Sequence, residues 1–173
     1  MRLFSWIIIL LCTTLSVHGQ AAQDQICVDP AFEKKIEKTI SHTVNVISPA
    51  QLVNMKNDVF LLDTREREEY DVSHIPNAHY SSFDNFDIAP YLSMPRDTTI
   101  VVYCSIGYRS EKIGEQLEAA GFTNVFNLWG SLFEWANQDL PLVDKDGQPT
   151  RQVHTYNKAW SKWVNEDKAK RVW

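Results

Sequence analysis

Thr98-Thr99-Ile100-Val101-Val102-Tyr103-Cys104-Ser105-Ile106-Gly107-Tyr108-Arg109-Ser110-Glu111 decides more of the fold than any other stretch of the chain. Its first six residues are β-branched or aromatic, the strongest strand signal in the sequence. The run stops at a cysteine. A short loop with one glycine follows. From Ser110 to Ala120, Ile113, Leu117 and Ala120 share one face of a helix that Gly121 ends. A strand feeding a tight loop into a helix builds an anion cradle. Loop N–H groups point inward, and the positive end of the helix dipole adds to them. A cysteine held there is expected to be a thiolate near neutral pH, and so a nucleophile.

Other elements surround this unit. Asp29-Pro30 reads as a helix start, with Phe32, Ile36 and Ile40 at four-residue spacing behind it. Val44 to Ile47 is a short strand, and Ser48-Pro49 caps a helix over Ala50 to Met55. Val59-Phe60-Leu61-Leu62 is an unbroken apolar run ending at Asp63, as expected of a strand buried on both faces. Glu66 to Tyr70 forms a helical turn and Ala78 to Tyr80 a third strand. Asp87 to Leu92 is a weak helix with Pro90 inside it. Val125 to Leu128 is the last strand, followed by a helix with Leu132, Phe133 and Trp135 that Pro141 stops. Strands alternating with helices predict an α/β domain with a largely parallel sheet, whose ligands bind at the carboxyl ends of the strands. Cys104, Asp63 and Arg65 lie at such ends. After Asp144 to Gly147, a turn, Lys158 to Lys168 reads as a C-terminal helix. Its neighbourhood holds Trp160, Trp163 and Trp173, which either anchor it or present a partner surface.

The chain has 173 residues, enough for one domain, and a formal net charge of −5. That charge argues against a general nucleic-acid binder. Residues 1–19 read as a secretory signal peptide: Met1-Arg2, a short apolar centre over Leu3 to Leu15, and a peptidase site after Gly19. The chain is therefore expected to be exported, to the periplasm or outside the cell, with no stable membrane insertion after cleavage. An uncleaved signal would make it membrane-anchored. Cys27 and Cys104 then remain. Cys27 reads as a small packing residue; a redox bridge to Cys104 is the alternative. No cysteine pair has metal-ligand spacing, and the histidines after the leader (His42, His74, His79, His154) are scattered, so no metal site is expected.

Three segments resemble the rhodanese family of sulfurtransferases. Leu61 to Arg65 with Glu69-Tyr70 and His74 to Ala78 is similar to its first signature, and Tyr103 to Ser110 to its active-site loop. Asn127 to Gly130, through Trp135, with Leu140 to Val143, is similar to its closing segment. The resemblance covers residues 44–143. It leaves a signal peptide at 1–19, an N-terminal extension with a short helix at 20–43, and a Trp/Lys-rich C-terminal extension at 144–173. It implies a three-layer α/β fold with a mostly parallel five-stranded sheet and helices on both faces.

It also implies a chemistry. Cys104 would take a sulfane sulfur from a donor as a persulfide and yield it to an acceptor. Ser105, Ile106, Gly107, Tyr108, Arg109 and Ser110 would form the substrate-binding loop, with Asp63 and Arg65 in support. Arg109 would hold an anionic donor in its fork, or else pair with Glu111 or Glu115. Asp63 and Arg65 would tie the strand end to Glu69 or to the loop, and His74 would cap or pack. The implied partners are a small anionic sulfur donor and a thiol or cyanide-like acceptor; a protein partner could use the C-terminal extension. No cofactor is implied. Ser105 stands where many thiosulfate-active members carry a basic residue, which leaves the donor open. Cysteine phosphatases and arsenate reductases place five residues between Cys and Arg; here there are four. The competing function is a non-catalytic rhodanese-like binding or regulatory module.

Overall fold

The structure is a computed structural model that describes residues 27–55 and 59–173. The signal peptide expected at 1–19 lies outside the described residues, as does the 20–26 part of the N-terminal extension. Five strands form one sheet: β1 (Asn45–Ile47), β2 (Phe60–Asp63), β3 (His79–Tyr80), β4 (Ile100–Tyr103) and β5 (Val125–Leu128). Their spatial order is β1-β5-β4-β2-β3, and every neighbouring pair is parallel. β4 is the middle strand and all four of its residues are buried, which is why it is apolar without alternation.

The period-two geometry of a strand divides the core between two faces. Val101 and Tyr103 of β4 join Leu61 and Leu128 on one side. Ile100 and Val102 join Leu62 and Val125 on the other. Helix α4 (Tyr108–Ala119) brings Ile113 and Leu117 to the second cluster. Helices α1 (Pro30–Glu37) and α5 (Ser131–Asn137) bring Phe32, Ile36, Leu132 and Phe133 to the first. The result is the α/β three-layer arrangement with helices on both faces. Local capping starts the helices. Asp29 Oδ1 accepts from Ala31 N–H ahead of Pro30, and Ser48 with Gln51 closes a capping box on α2 (Pro49–Asn54).

Three segments depart from expectation. Pro90 leaves only a 3₁₀ turn, Ala89–Tyr91, within the expected helix Asp87 to Leu92. The strand expected from Thr98 begins at Ile100. The helix expected over Lys158 to Lys168 is the single turn α6 (Lys158–Ser161), which Asn157 caps. Past Ser161 the backbone bonds tighten to three-residue steps, Trp163 N–H to Trp160 C=O and Val164 N–H to Ser161 C=O, and the Asn165 N–H turns away to Asn137 Oδ1. The chain then returns as β7 (Lys170–Val172), parallel to β6 (Gln152–His154), a pair absent from the sequence reading.

The C-terminal segment is packed onto the domain. Trp163 stacks on Phe32 at 5.6 Å between ring centres, and the two Asn137 amide atoms bond Trp163 and Asn165 backbone. Trp163 is thus an anchor, whereas Trp173 is 62% exposed.

Candidate active site

The strand register sets the site. Asp63 pairs with Tyr103, so the carboxyl ends of β2 and β4 are level, and Thr64 N–H bonds Tyr103 C=O at 2.9 Å. Cys104 leaves the end of β4 directly beside this step. From the far side, residues at the start of α5 clasp the loop. Leu132 N–H donates to Cys104 C=O and Phe133 N–H to Ser105 C=O, both at 3.1 Å. Cys104 N–H donates to Ser131 Oγ at 3.2 Å. Ser131 holds a φ of 51°, a conformation most side chains avoid, and the two bonds of its hydroxyl accompany that strain.

Between Cys104 and α4 the loop closes tightly. Gly107 has a φ of 122°, and a Cβ there would come within 3.1 Å of Ile40. This turn aims the Gly107 N–H at Cys104 Sγ, 3.1 Å away. Ser110 Oγ donates to Asn127 Oδ1 at 2.7 Å, and Asn127 Nδ2 donates to Gly107 C=O at 2.9 Å. Asn127, read from sequence only as part of a closing signature, is therefore the brace of the turn.

Burial works to push the Cys104 thiol up, as it must for any ion in a dry site. The nearby Arg109 charge, the Ser110 N–H and hydroxyl, and the Gly107 N–H outweigh it, and the thiol lies below its ordinary value. Cys104 is a buried free thiol, and so is Cys27. The Cys27–Cys104 bridge is not formed. Burial raises the Cys27 thiol, and the Glu134 carboxylate raises it further.

Arg109 is where the site differs most from expectation. It pairs with neither Glu111 nor Glu115. Its fork is taken up by Glu69: Nη1 to Oε2 at 2.7 Å and Nη2 to Oε1 at 2.9 Å. The Ser105 hydroxyl completes the group, accepting from Arg109 and donating to Glu69, each at 3.0 Å. Burial opposes the Glu69 carboxylate charge, but the Arg109 bonds and charge hold it below the usual range. Glu111 instead turns inward and takes the backbone N–H groups of Ser41 and Thr43.

Asp63 and Arg65 form a fully buried pair at 2.6 Å, and Arg65 Nη2 also donates to Ser73 C=O at 2.6 Å. They tie the strand end to the segment after α3 (Arg67–Val72) rather than to Glu69. His74 stacks on Tyr70 at 3.8 Å and packs there.

Cys104 opens onto a cavity of about 360 Å³ whose wall includes Ser105, Ile106, Tyr108 and Arg109. Parts of the chain outside the 44–143 resemblance reach the same wall: Thr39 after α1, and Tyr156 and Trp160 from the C-terminal segment. Sequence reasoning placed none of these three at the site. The Asn157 cap and the positive φ of Tyr156, 63°, are the local features that turn the two rings there. Among the described residues, no three His, Cys, Asp or Glu side chains gather as a metal site.

The family model for the rhodanese-like domain matches residues 48–138. A tRNA uridine(34) hydroxylase of Photorhabdus laumondii is 33% identical over 101 residues, which are 56% of this chain and 28% of that protein. A probable adenylyltransferase/sulfurtransferase, MoeZ, of Mycobacterium tuberculosis is 30% identical over 101 residues, 56% of this chain and 26% of that one. The chain spans about a quarter of the length of these curated relatives. Among solved structures, a rhodanese-related protein of Thermoplasma volcanium matches with a TM-score of 0.51 and 25% identity, covering 57% of this chain and 97% of that one. A rhodanese-like domain from Anabaena matches in fold with a TM-score of 0.50 and 24% identity, covering 55% and 72%.

Proposed function

The chain belongs to the family of rhodanese-like domains, and on that premise we propose that it is a sulfurtransferase in which Cys104 carries a sulfane sulfur as a persulfide. The observation that carries this reading is Cys104 Sγ itself. It is a buried sulfur with a lowered thiol pKa, bonded by the Gly107 N–H and open to a cavity. The Mycobacterium relative is itself named as a probable sulfurtransferase.

The chemistry has two displacements. The Cys104 thiolate attacks the outer sulfur of a donor; a Cys104–sulfur bond forms, and the donor's own bond to that sulfur breaks with its electron pair. An acceptor nucleophile then attacks the outer sulfur, and Cys104 leaves as the thiolate it began as. No net oxidation of the enzyme occurs. The persulfide is an anion, and N–H groups that favour the thiolate favour it too. Thiosulfate and mercaptopyruvate are the donors to try.

Steady-state transfer from either donor to cyanide tests the reading. Ping-pong kinetics are expected, with turnover falling to background in Cys104→Ser. Turnover that survives in Cys104→Ser refutes it. We further propose export, on the pattern of residues 1–19. N-terminal sequencing of the protein from its host is expected to begin at Gln20, and a retained Met1 refutes cleavage.

A further inference from the structure

The cavity above Cys104 is larger and more apolar than a compact sulfur donor needs. Its volume of about 360 Å³ falls in the range of pockets that hold drug-sized organic ligands. Its wall carries Phe83, Tyr108, Phe133, Tyr156 and Trp160 beside Ile106. Tyr108 and Tyr156 stand at the surface, 48% and 63% exposed, so the wall extends to an open mouth. Exposed rings of this kind are a place for an apolar body to bind.

The charges point the same way. Among the described residues lining the cavity, Arg109 is the sole cation, and both arms of its fork are held by Glu69. Lys35 lies over the Trp160 ring, 4.9 Å from its centre, and is not part of the wall. Two carboxylates do line it. One is Asp84. The other is Glu66, whose Oε1 is buried with no hydrogen-bond partner. A small anionic donor can use the loop N–H groups beside Cys104, but the wider wall offers a larger anion carboxylates and no free cation. A neutral or cationic group with N–H donors would meet rings and acceptors.

We infer that the sulfur acceptor at Cys104 is a small organic thiol with an apolar or aromatic body, neutral or cationic, held between Trp160, Tyr156 and the Ile106 loop. This rests on the persulfide reading above. In the transfer step the acceptor thiol gives its proton to the outer sulfur of the Cys104–S–S⁻ anion and, as thiolate, attacks that sulfur. The new S–S bond forms, the bond to Cys104 breaks, and Cys104 departs as thiolate. The proton stays on the transferred sulfur, and the product is the organic persulfide. Charge and atoms balance with no added oxidant or reductant.

The test reads the cavity without requiring sulfur transfer. The full chain is alkylated with N-benzyl iodoacetamide and, separately, with iodoacetate, and Cys104 labelling is followed by peptide mass mapping. The ratio of the two rates is compared with that of free N-acetylcysteine. A ratio about tenfold above the free thiol is expected, and Trp160→Ala and Tyr156→Ala should each lower it about threefold. Cys27 is buried with a raised thiol pKa in the folded chain, so its labelling in the same digest marks any unfolded fraction, which reacts with the free-thiol ratio. A ratio equal to that of the free thiol, or a preference for iodoacetate, overturns the inference. Persulfide loading of Cys104, measured in parallel, separates the two claims. Sulfur on Cys104 with a free-thiol ratio removes this inference and leaves the transfer reading. A high ratio without sulfur removes the transfer reading and leaves the cavity's preference. With sulfur loaded, benzyl mercaptan should discharge Cys104 faster than mercaptosuccinate.

Discussion

Cys27 and Cys104 are both free and both almost wholly buried, at 1% and 2% exposure. Burial pushes both thiols up, yet they end on opposite sides of their ordinary value of 9.0. Cys27 sits against Glu134, a carboxylate whose own charge is opposed by burial. Cys104 sits below Arg109, the Gly107 N–H and the start of α4. Depth alone makes a cysteine neither inert nor reactive. The sign of the nearest fixed charge and the direction of the nearest N–H groups decide it.

The largest break in this comparison is Cys104→Ser, which should abolish sulfur transfer outright, while Cys27→Ser leaves transfer intact; cyanide-coupled turnover reads both. Next is Glu69→Gln. Glu69 is buried but Arg109 is part-exposed, so the loss falls below the about 3–5 kcal/mol of a wholly buried pair. Urea midpoints should fall accordingly, with partial recovery when Arg109→Met is added. Equal midpoints for Glu69→Gln and the wild type would mean that Glu69 does not hold Arg109 as described.

The pH dependence sharpens the contrast further. The folded Cys104 thiol lies below 9.0, so between its folded value and 9.0 the unfolded chain binds the extra proton. Its contribution to stability is present above 9.0 and lost as pH falls through the folded value. Folded Cys27 keeps its proton above 9.0 while the unfolded thiol loses it, so its contribution declines as pH rises past 9.0. Urea unfolding of Cys104→Ala and Cys27→Ala from about pH 6 to about pH 10 should show pH slopes altered in opposite senses, and matching slopes would contradict the electrostatics. The smallest effect is that of Cys27→Ala near neutral pH, a loss of about 1 kcal/mol for removing a small buried side chain.

Much of the site was legible because it is local. The run Thr98 to Tyr103, Cys104, Gly107 and the α4 face lie within about one turn-strand-turn of each other, and each obeys a short-range rule. Asp63 and Arg65 lie two residues apart at a strand end and pair locally, but their link to Ser73, rather than to Glu69 or the loop, was not legible. Arg109 was read against Glu111 and Glu115 because they are its neighbours on the helix. Its partner Glu69 is 40 residues away, and no local periodicity joins them. The C-terminal rings were hidden differently. Trp160 and Trp163 look alike in sequence and sit three residues apart. One lines the cavity and the other stacks on Phe32, because α6 ends at Ser161 between them and Asn137 holds the Trp163 C=O. The β6–β7 pair is equally non-local, joining short strands 18 residues apart.

One measurement bears most directly on the contrast and on the proposed chemistry together. The purified protein is incubated with thiosulfate or mercaptopyruvate, digested without reductant, and both cysteine peptides are weighed. One added sulfur atom is expected on the Cys104 peptide, removable by cyanide, and none on the Cys27 peptide. No added sulfur on Cys104 with either donor, or sulfur on Cys27 instead, would contradict it.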